Sequence, residues 1–378
     1  MSGLDEAAQH EAAAAETGLT DFGEPSYREG LRVGLDAVRH RGGGTLLEQH
    51  FRARARMALV GRLHSERGWR LHPEHRGVRI VEPLIVTGMS RSGTSALHQL
   101  LAADGQFQWI PHWNAGAPGV RPRREQWAAH PVYQAGLERL QAEFRRNPAQ
   151  RATHNIEAGL PEECINVMCQ SFVSMMFTTT IPLPYYHQWL MKQDETPSYE
   201  RYARNLRLIG ASTPPEQPWL LKNPSHMGGM AALLRVFPDA RVVVTHRDPV
   251  SAVASAASMT EIISGPLWAR GEAGRHRLEV SLHNIARCEQ ARIGHEDRFH
   301  DVRYTDFVRD PIGVVTGIYR RFGLTLTPDA EQAMRIWLAD NPQGRFGAHR
   351  YTPQDCALSA GEVRERFAAY IARYGLDA

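Results

Sequence analysis

The sequence predicts an α/β fold: a central, mostly parallel sheet with flanking helices, extended by an N-terminal helical appendage and a helical insertion. Three observations predict it. The apolar run Leu84-Ile85-Val86 ends in the glycine loop Gly88-Met89-Ser90-Arg91-Ser92-Gly93, and helical spacing follows at once with Ala96, Leu97, Leu100 and Leu101. The β-branched run Ala240–Thr245 leads to Pro249, a residue suited to the first turn of a helix. A short strand at Trp219–Leu221 stands before Lys222. Strand, loop and helix in repetition is the rhythm of a parallel sheet.

The elements follow in order along the 378 residues. Residues 1–18 read as a loose helical tail. Ser26 is placed to cap a helix carrying Leu31, Val33, Leu35 and Val38, and Gly42-Gly43-Gly44 breaks it. Leu46, Leu47, Phe51, Met57, Leu59, Val60 and Leu63 support a second helix, so residues 1–77 are expected to be an N-terminal helical appendage and 78–378 the α/β domain. The first buried strand lies within Val78–Thr87. Residues 105–217 show long helical stretches at 131–146 and 161–177, many aromatics and no clear strand, which predicts a helical insertion in the place of a substrate lid. Ser225 is expected to cap a helix through Val236, and Phe237-Pro238-Asp239 to turn into the next strand. A helix at 275–293, a strand at 301–304 and a helix at Pro311–Phe322 come next. Helices near 328–339 and 360–374 close the chain, with a Gly/Arg-rich loop between them.

Composition narrows the function classes. Hydrophobic content of 42% and charged content of 22% are those of a globular protein. A net charge of +3, with arginines spread along the chain, does not suggest a nucleic-acid partner. Cys164, Cys169, Cys288 and Cys356 show no zinc spacing and read as free thiols in a reducing compartment. The acidic, alanine-rich N-terminus lacks the features of a secretion signal, and no apolar run approaches the ~18 residues of a membrane span, so a cytoplasmic protein is expected.

The glycine loop carries the first chemistry. Backbone N–H groups at a helix start form an anion site, and Ser92, Thr94 and Ser95 add hydroxyls. Gly88 and Gly93 allow the tight turn, and Arg91 supplies a guanidinium that can fork two anionic oxygens. A nucleotide P-loop would need a lysine where Thr94 stands, and a Walker-B carboxylate ending an apolar strand; here the strand ends in His246-Arg247, with Asp248 before Pro249. An NTP-dependent phosphotransferase and a non-catalytic nucleotide-binding module remain the alternatives. The histidines His98, His112, His154, His187 and His349 form no metal motif and read as surface or core residues.

The combination of "GMSRSGTSALHQLL", "LLKNPSH" and "FPDARVVVTHRDPVSAVAS" resembles the sulfotransferases that use 3′-phosphoadenosine 5′-phosphosulfate (PAPS), and is most similar to their bacterial branch. "LTDFGEPSYREGLR" and "LPEEC" extend the likeness over nearly the whole chain. The resemblance implies a 5′-phosphosulfate loop at Arg91, Ser92, Gly93, Thr94 and Ser95, and a 3′-phosphate site at Arg247 and Ser255, with Tyr304 of "YTDFVRDP" helping to hold the nucleotide. Two departures stand out. Ala96 occupies the position of an adenine-stacking aromatic, and a C-terminal Arg-Lys-Gly motif is absent; Arg345, His349 and Arg350 of "QGRFGAHRY" are stand-ins or a solvated basic loop.

Sulfuryl transfer needs stabilised charge on the leaving group, an in-line acceptor and a base, and no metal. Arg91 and Lys222 are expected to neutralise the charge. Glu163, then Glu162, are the preferred bases, unless they only complement a helix dipole. His226 competes; it lies four residues after Lys222, whereas the animal cytosolic branch has its histidine two residues after the lysine. The product would be adenosine 3′,5′-bisphosphate. Trp109, Trp113, Phe172, Met175, Met176, Phe177, Tyr185, Tyr186 and Trp189 suit a hydroxyl (or amine) on a small apolar or aromatic acceptor, lipid, steroid or phenol-like, or simply form the core of the insertion. A homodimer is the family-level expectation.

Overall fold

A computed structural model of the chain describes residues 4–146, 157–214, 217–342 and 352–376. The chain divides into two compact units, one drawn from residues up to Ile80, 110–146 and 157–214, the other from 81–109 and the described residues beyond 216.

The second of these holds the sheet. Its strands are β1 (Leu84–Gly88), β2 (Leu220–Lys222), β3 (Arg241–His246) and β4 (Phe299–Arg303). All pairings are parallel, in the order β2-β1-β3-β4. The central strand β1 is buried along its whole length, which is why its sequence is continuously apolar rather than alternating. Leu84 and Val86 of β1, Val243 of β3 and Val302 of β4 share one core cluster with Leu97, Leu100 and Leu101 of the helix Thr94–Leu101. Val315 and Ile318 of the helix Pro311–Phe322 and Met334 of the helix Pro328–Asp340 complete that cluster. The α/β expectation, with its parallel sheet and βα loop, is what the structure contains. The expected strand within Val78–Thr87 is shorter at its start, because Glu82 (φ 44°) and Pro83 turn the chain just before Leu84.

The other unit is helical: Glu6–Thr17, Tyr27–His40, Thr45–Leu71, Pro131–Arg146 and Thr196–Ile209 are its longer helices. Gly42, Gly43 and Gly44 have φ of 91°, 63° and 105°, so the predicted break falls where the left-handed region is needed. Arg62 is buried here, with its guanidinium 4.0 Å from the Tyr27 ring centroid and a 3.3 Å bond to the Gln170 carbonyl.

Several local expectations change. Ser26 makes no cap; its backbone N–H donates to Glu24 Oε1 at 2.8 Å and its hydroxyl to Glu24 Oε2. Ser225 does not cap a helix either. Asn223 Oδ1 accepts from the Ser225 N–H at 3.0 Å, a single 3-10 turn follows, and the α-helix starts only at Met230. The stretch 161–177 is not one helix: Pro161 bridges Pro111 in antiparallel fashion, a short helix covers Ile165–Met168, and Phe172 turns left-handed at φ 56°. The C-terminal stretch is two helices, Ala360–Arg366 and Ala368–Tyr374, meeting at Phe367. Among the described residues, no helix is long and apolar enough to cross a membrane.

Candidate functional site

Ligands of open α/β sheets bind beyond the carboxyl ends of the strands. The ends of β1, β2 and β3 carry Gly88, Lys222 and His246.

Beyond β1 the chain forms a tight loop, Met89 to Gly93, before the helix Thr94–Leu101. Gly88 has φ 150°, and a Cβ there would lie 2.3 Å from Thr245 Oγ1 and 2.4 Å from its carbonyl oxygen. Gly93 has φ 92°, and a Cβ there would lie 2.8 Å from the Tyr304 ring. Both glycines are therefore required by close approach as well as by backbone angle. Between them Arg91 adopts φ 72°, a left-handed conformation a non-glycine residue takes at a cost of about 1–3 kcal/mol. Ser92 is 1% exposed, and both its backbone N–H (3.1 Å) and its hydroxyl (2.6 Å) reach the Met89 carbonyl. Its oxygen also lies 2.6 Å from Thr245 Oγ1. Ser92 thus shapes the loop. Thr94 and Ser95 open the helix, where the first backbone N–H groups face outward along its axis.

Lys222 ends β2 with its side chain 3% exposed, and its Nζ donates to Ser95 Oγ at 3.0 Å. The parallel register Val86↔Lys222 brings that ammonium beside the loop.

Arg247 follows β3 directly. Its Nη1 donates to the Arg91 carbonyl at 2.9 Å, and its guanidinium lies 4.4 Å from the centroid of the Tyr304 ring. Tyr304 is the first residue after β4. Asp248 accepts from the Val250 and Ser251 N–H groups at 3.2 and 3.1 Å, and so caps the helix Pro249–Ser264. That use of the carboxylate is helix capping and does not match a Walker-B role. Two turns into the helix, Ser255 is 1% exposed and accepts from Arg91 Nε at 3.1 Å. The residues expected for the 5′ end and for the 3′ end of a nucleotide are therefore in direct contact: Arg91 touches both Arg247 and Ser255.

His226 is fully buried. Burial, and after it the Lys222 ammonium, push its imidazole down to about 3, so it holds no proton near neutrality and is a poor proton acceptor. Ala96 is partly buried and packs on the sheet's core cluster. Arg345, His349 and Arg350 lie outside the described residues.

In the helical unit, Glu162 is 8% exposed. The backbone bond from Glu162 N–H to the Ile110 carbonyl (2.8 Å) pins its strand-like segment to the one carrying His112. Glu162 Oε2 bonds His112 Nδ1, and its Oε1 accepts from the Glu163 N–H at 2.6 Å. Glu163 is partly exposed. The helix these glutamates were expected to open begins only at Ile165. The His112 partnership was not foreseen, since the two residues stand fifty positions apart and His112 belongs to no motif. Beside it, Trp113 contacts His130, Trp127 and Tyr133 at ring separations of 5.0, 5.8 and 6.2 Å. Phe172, Phe177 and Tyr186 are fully buried core, with Phe172 and Phe177 stacked at 4.8 Å.

Comparison with known proteins bears on this arrangement. A model of the sulfotransferase family matches residues 83–328. The omega-hydroxy-beta-dihydromenaquinone-9 sulfotransferases Stf3 of Mycobacterium bovis and Mycobacterium tuberculosis are each 25% identical over 308 residues, 78% of this chain and 75% of theirs. The crystal structure of sulfotransferase STF1 from Mycobacterium tuberculosis superposes with a TM-score of 0.88 at 37% identity, covering 97% of this chain and 98% of that one. Sulfotransferase STF9 from Mycobacterium avium superposes with a TM-score of 0.85 at 29% identity, covering 99% and 97%.

Proposed function

The chain belongs to the sulfotransferase family and is an enzyme of that class, and from this premise we propose that it moves a sulfuryl group from PAPS to the hydroxyl of an apolar acceptor. The observation that carries the donor assignment is the cluster of Arg91, Lys222 and Arg247 with Ser95 and Ser255, gathered at the carboxyl ends of β1, β2 and β3 and on the helices that follow β1 and β3. Three cations and two hydroxyls suit a ligand with two separate anionic ends. Arg91, Lys222, Thr94, Ser95 and the loop backbone would hold the 5′-phosphosulfate, with Gly93 and Ser92 shaping that loop. Arg247 and Ser255 would hold the 3′-phosphate, and Tyr304 would brace Arg247 through its ring face.

In the transfer, the acceptor's O–H bond breaks as its oxygen bonds to sulfur, and the bond from sulfur to the bridging oxygen of the donor breaks. Negative charge builds on that oxygen, and the Lys222 ammonium and Arg91 guanidinium are the groups to meet it. The acceptor proton passes to a base. Glu163 is preferred: it is partly exposed, whereas both oxygens of Glu162 are engaged and His226 is buried beside a cation. Adenosine 3′,5′-bisphosphate is the product. For the acceptor we favour a lipid-like alcohol. The Stf3 relatives are named for a menaquinone-type substrate, and the aromatic group around Trp113 offers apolar surface of the right kind.

Isothermal titration with adenosine 3′,5′-bisphosphate and with ATP–Mg tests the donor. Tight bisphosphate binding without added metal is expected; binding of ATP–Mg alone would sink the proposal. Transfer of radiolabelled sulfate from PAPS into a panel of lipid alcohols, steroids and phenols tests the acceptor, with the lipid alcohols expected to be labelled most.

A further inference from the structure

The parallel pairing of β3 with β4 ends at His246↔Arg303, so Arg247 is the first residue that the sheet ladder does not hold. A side-chain network, buried at His246 and Tyr370 and reaching the surface at Asp301, takes over at that point. His246 is 1% exposed, and its Nε2 lies 2.9 Å from Asp301 Oδ1. Arg292 grips the same carboxylate with both terminal nitrogens, at 2.8 and 2.7 Å. A carboxylate held this way only accepts, so His246 Nε2 carries a proton. The Tyr370 hydroxyl stands 3.0 Å from Nδ1, within hydrogen-bond distance. His246 stands immediately before Arg247 in the chain. Tyr374, one turn further on, stacks its ring on the imidazole at 3.7 Å and 16°. Both tyrosines come from the helix Ala368–Tyr374.

Hydrogen bonds therefore link Tyr370 to His246, the residue before Arg247, and His246 to an arginine-anchored Asp301. A guanidinium sits at the end of a long side chain, and its placement is only as good as that of its own backbone. Arg247 is held at both ends, by the anchored His246 next to it in the chain and by the Arg91 carbonyl and the Tyr304 ring at the tip.

We propose that the C-terminal helix Ala368–Tyr374 is a positioning element of the donor site: Tyr370 and Asp301, by holding His246, set the adjoining Arg247 for the 3′-phosphate. The inference rests on the reading of Arg247 and Ser255 as the 3′-phosphate site.

The test is the ratio of two dissociation constants, for adenosine 5′-monophosphate and for adenosine 3′,5′-bisphosphate, measured by titration calorimetry on one preparation. These ligands differ only in the 3′-phosphate, and loss of folded material cancels in the ratio. The wild-type protein is expected to prefer the bisphosphate. Tyr370→Phe is expected to lower that preference about tenfold, chiefly by weakening the bisphosphate. Asp301→Asn is expected to lower it in the same direction by a smaller factor. Tyr319→Phe removes another buried tyrosine hydroxyl, one bonded to Asp104 at 2.6 Å, and is expected to keep the wild-type ratio. A simply structural role for Tyr370 would lower the melting temperature in both tyrosine variants and move the ratio in neither. Retention of the full preference by Tyr370→Phe and Asp301→Asn overturns the proposal. A wild-type protein with no preference for the bisphosphate overturns the 3′-phosphate reading itself, and the positioning role with it.

Discussion

Lys222→Met separates charge stabilisation in the transition state from ordinary binding. Lys222 is 3% exposed, and its ammonium donates to Ser95 Oγ at 3.0 Å, at the start of the helix that follows the Gly88–Gly93 loop. A fixed donor of this kind, aimed at charge that develops only during transfer, is worth about 2.7–4 kcal/mol, or ~10²–10³ in kcat. Methionine keeps most of the side-chain volume. The substitution gives up a hydrogen bond worth about 1 kcal/mol and relieves the desolvation of a buried ammonium, so the melting temperature should move by only a few degrees. The assay is radiolabelled sulfate transfer at saturating PAPS, with bisphosphate affinity measured in parallel. A kcat lower by two to three orders of magnitude is expected, with bisphosphate affinity changed less than about tenfold. If kcat stays within about threefold while the donor KM rises, Lys222 binds donor and transition state alike, and its assigned role is refuted.

Three further outcomes follow from the geometry. Ser255→Ala removes the partner of Arg91 Nε at 3.1 Å and should weaken bisphosphate binding by about 3–10-fold in calorimetry, leaving adenosine 5′-monophosphate binding nearly as it was. Gly93→Ala places a Cβ 2.8 Å from the Tyr304 ring at φ 92°, and should lower stability to denaturant by about 1–3 kcal/mol while abolishing tight bisphosphate binding. His226 sits at about 3, pushed down by burial and then by Lys222, against an unfolded value of ~6.5. Its neutral form therefore supports the fold fully above ~6.5, and that support is lost as pH falls from ~6.5 toward 3. Denaturation measured at pH 7.5 and pH 5 should show His226→Gln to be less acid-sensitive than wild type, and the pH–rate profile near neutrality should keep its shape.

The parts of this protein that were legible in the sequence are those whose signal is local. Leu84–Val86 and Ala240–Thr245 announce buried parallel strands because both faces of each strand are covered. The spacing from Arg247 to Ser255 works because a strand end and two helical turns have fixed lengths, and the structure does bring both residues onto Arg91. Signals that depend on distant partners were not legible. His112 and Glu162 meet only because Pro111 and Pro161 pair across fifty residues. His246, Asp301 and Tyr370 come from two strands and a C-terminal helix, with no motif in common. Local competition also misled: Asn223 outranked Ser225 because its carboxamide oxygen sits before the turn, and Glu24 claimed Ser26. The basic loop carrying Arg345 and Arg350 lies outside the described residues.

The left-handed Arg91 draws these observations together. Glycine would take φ 72° without strain, yet only a long cation at this point can reach Ser255 from the loop. The unfavourable backbone is held from two sides, by Ser92 closing the turn onto Met89 and by Arg247 donating to the Arg91 carbonyl. The residue assigned to one end of the donor thus fixes the backbone of the residue assigned to the other. Arg247 in turn follows His246, which Tyr370 holds, so the contacts behind the loop reach the C-terminal helix. On the proposed assignment, a ligand with anions at both ends would engage every member of that chain, whereas one lacking the 3′-phosphate would leave Arg247 with only its protein partners. Discrimination between such ligands is therefore a property of the connected network, and a substitution as remote as Tyr370 can alter it without touching the ligand.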